Sequence, residues 1–192
     1  MLNMSQTKAI DADVLLSAYT QGVFPMADEG EILWFSPENR GLIPIDDHFR
    51  INHGLRKAMR KKPFEVYFDR DFEGVMRGCA ERDETWIDEG IIESYCNLHE
   101  LGFAHSVECW DDEGLQGGLY GVSYGRVFFG ESMFSRKSNA SKIAMVHLVE
   151  HLRANDYELL DTQWLNDHLK TFGGYEVPRA QYLKMLKQAI RD

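Results

Sequence analysis

Arg126–Phe134, with the sequence RVFFGESMF, is the stretch that decides the fold of this chain. Its apolar and aromatic residues predict a β-strand, but Gly130 and Glu131 interrupt the apolar pattern. A glycine inside a strand is typical of a β-bulge, which changes the direction of the side chains that follow it. We therefore expect Phe128 and Glu131 to face one cavity, although strict alternation would separate them. Alternatively, Glu131 forms an ion pair with Arg126 or Arg136.

A second strand that carries polar residues is predicted at residues 158–163. Alternation with a period of two places Asp161 and Gln163 on one face of this strand. A carboxylate and an amide on a central strand are costly to bury unless they have hydrogen-bonding partners. Either they satisfy backbone groups of neighbouring loops, or Asp161 holds Gln163 and the pair orients a polar reactant.

The order of the predicted elements indicates the α+β class. Apolar periodicity and capping residues predict helices at about residues 13–21, 52–61, 72–80, 90–101, 140–155 and 166–171. Strands are predicted at about 64–68, 104–110, 115–122, 126–134 and 158–163, with a final strand and tail at 175–186. This order resembles acyltransferases of the GNAT superfamily, which implies a mixed, mostly antiparallel sheet with flanking helices. We expect a small N-terminal region at residues 1–37, packed on a GNAT-like domain at residues 38–192.

Composition and charge restrict the possible location and partners. The chain has 192 residues, of which 44% are hydrophobic and 27% charged, and its net charge is −10. No apolar run approaches the roughly 20 residues of a membrane span, and no signal peptide is recognisable. These features predict a cytoplasmic protein without a membrane partner. The three cysteines, Cys79, Cys96 and Cys109, are widely spaced, which argues against a disulfide framework and a structural zinc site.

A short basic segment stands out from this acidic chain. Six cationic residues lie within thirteen positions, namely Arg50, Arg56, Lys57, Arg60, Lys61 and Lys62. The net negative charge argues against broad coating by nucleic acid, but a local cluster can still bind phosphate groups. The alternative is a solvated helix face without a ligand.

The turn before the long helix departs from the coenzyme A loop of GNAT enzymes. That loop reads Gln/Arg-x-x-Gly-x-Gly/Ala, and its backbone N–H groups hold a pyrophosphate. Asn139 and Ser141 occupy the positions where the small residues should be. A donor other than acyl-CoA is therefore favoured, although Arg136, Lys137 and the helix N-terminus could still hold a phosphate.

The long helix contains a pattern of the zinc-protease type, His147-Leu148-Val149-Glu150-His151. A catalytic zinc site also needs a third ligand and an open coordination position, and no convincing downstream ligand follows. We interpret His147, Glu150 and His151 as the polar face of a surface helix, and we expect no metal.

Ten segments of the chain together resemble the leucyl/phenylalanyl-tRNA–protein transferase family. In order along the chain, they are residues 22–26, 32–37, 85–87, 99–102, 117–122, 129–135, 139–142, 160–163, 166–168 and 177–179. The resemblance implies a bacterial cytoplasmic enzyme that transfers Leu or Phe, and less well Met, from aminoacyl-tRNA to proteins with N-terminal Arg or Lys. The new N-terminus is a degradation signal. The partners are then Leu-tRNA, Phe-tRNA and these proteins, and we expect a monomer that needs neither coenzyme A nor another cofactor.

The resemblance also implies roles for individual residues by matching position. The aminoacyl side chain would lie in a pocket lined by Leu119, Phe128, Met133, Met145, Leu148 and Leu160. The terminal adenosine would lie near Trp86 and Met26. The catalytic polar centre would consist of Glu131, Asp161 and Gln163. The tRNA backbone would contact Arg56, Lys57, Arg60, Lys61, Lys62 and Arg136. Met26 and Leu148 replace aromatic residues that some relatives carry, so the shape of the pocket differs from theirs.

The implied chemistry suits these residue types. The reaction is aminolysis of an activated ester, and an α-amine with a pKa near 8 is partly neutral at pH 7. Positioning and modest proton handling can then replace a strong base. Gln163 would orient the amine or carbonyl, Asp161 would hold Gln163 and disperse positive charge, and Glu131 would attract the cationic acceptor. The rival hypotheses are an acyl-CoA N-acyltransferase and a non-enzymatic RNA-binding module.

Overall fold

The computed structural model describes residues 7–82 and 84–191. The helices are α1 Ala12–Thr20, α2 His53–Arg60, α3 Phe72–Ala80, α4 Glu89–Glu100, α5 Ala140–Ala154, α6 Asp167–Lys170 and α7 Arg179–Ala189. The strands are β1 Phe24–Asp28, β2 Glu31–Phe35, β3 Asn39–Ile43, β4 Glu65–Phe68, β5 Ala104–Asp111, β6 Gly114–Tyr124, β7 Val127–Ser135, β8 Leu159–Gln163 and β9 Tyr175–Pro178. None of the helices in these ranges is long and apolar enough to cross a membrane.

The strands form two sheets of unequal size. β1 and β2 form an antiparallel hairpin, and the other seven strands form one sheet in the order β4-β5-β6-β7-β8-β3-β9. Within the described residues, β7 and β8 pair in parallel, whereas the other neighbours in this sheet are antiparallel. The predicted α+β class with a mostly antiparallel sheet is therefore confirmed.

Helices pack against both faces of the large sheet, because successive residues of its central strands point to opposite sides. Tyr120, Phe129 and Leu159 pack with the apolar residues of α1, α3, α4 and α7. Their neighbours Leu119, Phe128 and Leu160 pack with residues of α2, α5 and α6. The sheet is thus buried on both sides, and polar residues on its central strands need internal partners.

Four elements differ from the sequence-based prediction. β1 and β2 lie in the small N-terminal region, for which no strands were predicted. β3 was not predicted, because Asn39, Arg40 and Gly41 give its first half no apolar signal. The predicted tail after β9 is wrong, since α7 occupies that stretch. α7 buries Tyr182, Leu186 and other residues at helical spacing, a pattern that the strand interpretation overlooked.

Candidate active site

A β-bulge in β7 directs Glu131 into the molecule. Tyr120 of β6 pairs with Ser132, and the next residue, Gly121, pairs with Gly130. Glu131 is therefore an extra residue on the bulged strand. The bulge predicted from the glycine is confirmed.

A second bulge lies opposite, in β8. Gly41 of β3 pairs with Gln163, and its neighbour Leu42 pairs with Asp161, so Thr162 is the extra residue. Gln163 also has a φ of 57°, a left-handed conformation that few residues with a Cβ adopt. Alternation ends at this bulge, so the expectation that Asp161 and Gln163 share a face is wrong.

A cavity of about 470 Å³ lies where the pairing of β7 and β8 ends. The parallel pairing runs from Val127 and Leu159 to Phe129 and Asp161. Beyond this paired part, residues 130–135 of β7, Thr162 and Gln163 of β8, and Trp164 directly after β8 line the cavity. Gln163 bridges the two strands, because its Nε2 donates a hydrogen bond of 2.8 Å to Glu131 Oε1. The two bulges thus create a polar bridge on the wall of the cavity.

Glu131 receives several hydrogen bonds from one buried network. The Tyr19 hydroxyl donates to Oε1 at 2.7 Å, and the Tyr95 hydroxyl donates to Oε2 at 3.3 Å. The two hydroxyl oxygens also lie within hydrogen-bonding distance of each other. Because each hydroxyl has one proton, only two of these three bonds form at a time. Burial raises the pKa of both tyrosines well above 10, so they keep their protons and can donate. The alternative of an ion pair between Glu131 and a neighbouring arginine is wrong, because Arg126 pairs with Glu158 and Arg136 with Glu81.

The surroundings of Glu131 raise the pKa of its carboxyl into the neutral range. Burial, which disfavours the charged form, raises the pKa of its carboxyl from 4.5 to about 7. The Tyr19 hydrogen bond opposes this shift, the negative charge of Asp161 adds to it, and Arg40 opposes it. Glu131 is therefore a carboxyl whose charge responds to small pH changes around 7.

Asp161 lies behind the cavity wall and is fully buried. Arg40 donates from Nε to Oδ1 at 2.8 Å and from Nη2 to Oδ2 at 2.7 Å. The Tyr182 hydroxyl donates to Oδ2 at 2.5 Å, and the backbone N–H of Gln163 donates to Oδ1 at 2.9 Å. Asp161 does hold Gln163, as predicted, but it does so through the backbone. Arg40 and Tyr182 were not predicted from the sequence, although a buried carboxylate on a central strand indicates that a cationic partner is needed.

The apolar half of the cavity corresponds largely to the predicted side-chain pocket. It is lined by Leu119, Met133, Met145, Leu148 and Leu160. Phe128 belongs to the same apolar cluster but does not line the cavity. A Cβ at Gly121 would lie 2.5 Å from the Phe128 ring, so this ring packs against the glycine. The expectation that Phe128 and Glu131 face one cavity is therefore wrong.

Aromatic residues line the side of the cavity nearest to the hairpin. Met26 of β1 and Trp86 both line it, as do Phe24 and Trp164. The backbone N–H of Ala27 donates to the Trp86 carbonyl at 3.2 Å, which ties the hairpin to this wall. Trp164 is 46% exposed and was missed by the sequence analysis, although an exposed aromatic residue after a polar strand end is a binding signal.

The predicted tRNA-binding cations lie outside the cavity. Arg56, Lys57, Arg60, Lys61 and Lys62 are all exposed, on α2 or directly after it. Arg136 donates to Glu81 and to the Leu115 carbonyl, so its guanidinium is already engaged. The structure therefore brings the five cations of the α2 segment together but does not join Arg136 to them.

The turn before α5 and the zinc-protease pattern can also be placed. Asn139 has a φ of 69° and no side-chain capping bond, and the Ser141 N–H donates to Ser135 Oγ at 2.9 Å. His147 is half-buried and Glu150 is exposed, as expected for a helix face. Within residues 7–82 and 84–191, no group of three His, Cys, Asp or Glu residues could hold a metal ion.

Comparison with known proteins links this site to one family. Residues 42–187 match the leucyl/phenylalanyl-tRNA protein transferase family, and residues 8–38 match the N-terminal domain of that family. A leucyl/phenylalanyl-tRNA–protein transferase of Akkermansia muciniphila is 58% identical over 185 residues, which are 94% of this chain and 96% of the relative.

Two further relatives carry the same name. The protein from Herpetosiphon aurantiacus is 48% identical and the alignment covers 96% of this chain and 97% of the relative. The protein from Ruegeria sp. is 50% identical, with 94% of this chain and 87% of the relative covered. The chain therefore belongs to the leucyl/phenylalanyl-tRNA–protein transferase family of aminoacyltransferases.

Proposed function

We propose that this protein transfers Leu or Phe, and less well Met, from aminoacyl-tRNA to the α-amine of an N-terminal Arg or Lys of acceptor proteins. The product N-terminus would mark those proteins for degradation. The observation that carries the proposal is that one cavity contains both an apolar pocket and, beside it, the bridge between Glu131 and Gln163. Such a cavity can hold an apolar side chain beside a reacting carbonyl.

The apolar pocket suits an unbranched or aromatic donor side chain. Met133 and Met145 line it from two different elements, and methionine adapts its shape to different partners. One pocket can therefore accept the side chains of Leu, Phe and Met. Phe128 supports the pocket from behind instead of forming its surface.

The polar bridge suits aminolysis of the aminoacyl ester. The neutral α-amine attacks the ester carbonyl, a C–N bond forms, and the C–O bond to the terminal ribose breaks. The amine gives up a proton and the ribose oxygen gains one. Gln163 orients the amine or the carbonyl from the cavity wall, and the ionised Glu131 attracts the cationic side chain of the acceptor. Asp161 acts through Gln163, since it does not line the cavity.

The tRNA would be held at two places. Trp86 and Met26 line the cavity and would contact the terminal adenosine by stacking and apolar packing. The exposed cations of the α2 segment would contact phosphates of the acceptor stem without reading sequence. Arg136 would join them only by exchanging its partner Glu81 for a phosphate.

We extend the proposal to the domain type, the cellular location, the oligomeric state and the cofactor requirement. A parallel pair of strands within an antiparallel sheet, connected by α5, supports a GNAT-like domain at residues 38–192. The separate β1–β2 sheet supports a small N-terminal region at residues 1–37. Asn139 directly before α5 and Ser141 in its first turn support a donor other than coenzyme A. We further propose a cytoplasmic monomer that uses neither a metal ion nor another cofactor.

Transfer of labelled Leu or Phe from charged tRNA to a peptide beginning with Arg or Lys tests the function. The matched control is the same peptide with an acetylated N-terminus, which has no α-amine. We expect label on the free peptides and none on the control. An acyl-CoA N-acyltransferase would instead show thermal stabilisation by coenzyme A and leave the label on the tRNA.

A further inference from the structure

Arg40 is the largest fully buried side chain of the protein's described residues and is 1% exposed. Its guanidinium lies between two aromatic rings, 4.9 Å from the centre of Phe24 and 4.6 Å from that of Tyr182. A buried guanidinium is stable only when its N–H groups are paired. All three of its nitrogens donate, Nε and Nη2 to Asp161 and Nη1 to the backbone of Gly22.

The bonds to Asp161 fix the orientation of that carboxylate. Arg40 donates to both oxygens, a planar two-point arrangement that lysine cannot reproduce. The Tyr182 hydroxyl adds a third direction from α7. Asp161 therefore cannot rotate about its side chain without breaking bonds to β3 and to α7.

The fixed carboxylate in turn determines the backbone of Gln163. Asp161 Oδ1 accepts the Gln163 N–H at 2.9 Å, and Gln163 has a φ of 57°. A residue with a Cβ keeps such a conformation only when its surroundings hold it. The same conformation places the Gln163 amide 2.8 Å from Glu131 Oε1 on the cavity wall.

Arg40 also connects the hairpin to the catalytic strand. Its Nη1 donates to the Gly22 carbonyl at 3.0 Å, two residues before β1, which carries Met26. One side chain thus ties together the strand that bears Gln163, the helix α7 and the segment that leads to the adenosine side of the cavity.

We propose that Arg40 is a positioning residue for aminoacyl transfer, which acts by locking Asp161 so that Gln163 presents its amide to the reacting groups. This inference rests on the proposed function, because the reacting groups are those of the aminoacyl ester and the acceptor amine. Arg40 itself does not line the cavity and touches no substrate. Its loss should therefore lower kcat by a larger factor than it raises the KM for aminoacyl-tRNA.

The test compares Arg40→Met, Arg40→Lys, Asp161→Asn and the double variant Arg40→Met/Asp161→Asn in transfer from Leu-tRNA to an Arg peptide. Rates are expressed per competent site, counted by stoichiometric Leu-tRNA binding. We expect kcat per site to fall about 100-fold for Arg40→Met, as for a displaced catalytic group. Arg40→Lys should retain more activity than Arg40→Met, because lysine keeps the positive charge. It should remain slower than the wild type, because lysine lacks the planar, two-point donor group of arginine.

The double variant separates positioning from general destabilisation. If Arg40 acts through Asp161, the double variant should be no slower than the slower single variant, because the effects of coupled residues do not multiply. Leu186→Ala on α7 is the matched control, since Leu186 is buried in the same apolar cluster as Tyr182 and its side chain has no polar atom. It should lower thermal stability and leave kcat per site unchanged.

Three results would overturn the inference. The first is a wild-type kcat in both Arg40→Lys and Arg40→Met. The second is a double variant whose loss of kcat equals the product of the losses in Arg40→Met and Asp161→Asn. The third is a loss of kcat per site in Leu186→Ala as large as that in Arg40→Met. If Arg40→Met does not fold, Arg40→Lys and its combination with Asp161→Asn provide the same comparison. Absence of transfer by the wild-type protein itself would instead refute the proposed function.

Discussion

The pKa of Glu131 predicts how the stability of the protein depends on pH. Burial raises this pKa from 4.5 to about 7, so the folded state binds a proton that the unfolded state has already lost between these values. Stability contributed by the protonated carboxyl is therefore complete below about pH 4.5 and is lost as pH rises through about 7. The rise in pKa corresponds to about 3 kcal/mol of unfolding free energy.

The perturbation is Glu131→Gln, which keeps the size of the side chain and removes its titration. Urea unfolding, followed by tryptophan fluorescence, gives the free energy of unfolding of both proteins at pH values from 4 to 8. We expect the wild type to lose about 3 kcal/mol relative to the variant across this range. Other titrating groups, such as His105 and Asp69, affect both proteins equally and cancel in the difference.

Parallel pH curves for wild type and Glu131→Gln would refute this reasoning. They would mean that Glu131 ionises equally easily in the folded and unfolded states, and that its hydrogen bonds from Tyr19 and Gln163 offset its burial completely. A wild type that gains stability relative to the variant as pH rises would reverse the sign of the shift.

Three further predictions concern separate parts of the site. Gln163→Ala should lower transfer about 100-fold with the fold intact, and near-normal activity would remove Gln163 from the mechanism. Neutralising Arg60, Lys61 and Lys62 to Gln should weaken tRNA binding and reduce the slope of log K against log salt by about 2, whereas an unchanged slope would place the RNA elsewhere. Met145→Ala should cost about 2–5 kcal/mol of stability and raise the KM for Leu-tRNA more than for Phe-tRNA, and equal changes in the two KM values would place the donor side chain outside this pocket.

Elements with regular apolar patterns could be predicted from the sequence, and elements built around buried polar groups could not. α3 and the meander of β5, β6 and β7 follow the expected periodicities closely. β3 was not predicted, because Arg40 is buried in it only through its pairing with Asp161, which lies 121 residues away in the sequence. The pattern of apolar residues around Arg40 contains no information about a partner so far away in the sequence.

In the site, too, features with a local sequence signal could be predicted, and features that depend on distant partners could not. Gly130 allowed the bulge of β7 to be predicted, because a glycine inside a strand often marks a bulge. The bulge of β8 at Thr162 had no such marker, so the orientation of Gln163 was predicted wrongly. Tyr19 and Tyr95 reach Glu131 from α1 and α4, and only the packing of those helices brings the hydroxyls to the carboxylate.

The central claim is that the aminoacyl group reacts in the cavity between β7 and β8. The most direct measurement is a crystal structure with phenylalanyl-adenosine in which an amide replaces the ester. We expect the phenyl ring between Met133 and Met145, the carbonyl beside Gln163 and the adenine near Trp86. An adenosine bound elsewhere, with the cavity unoccupied, would contradict it.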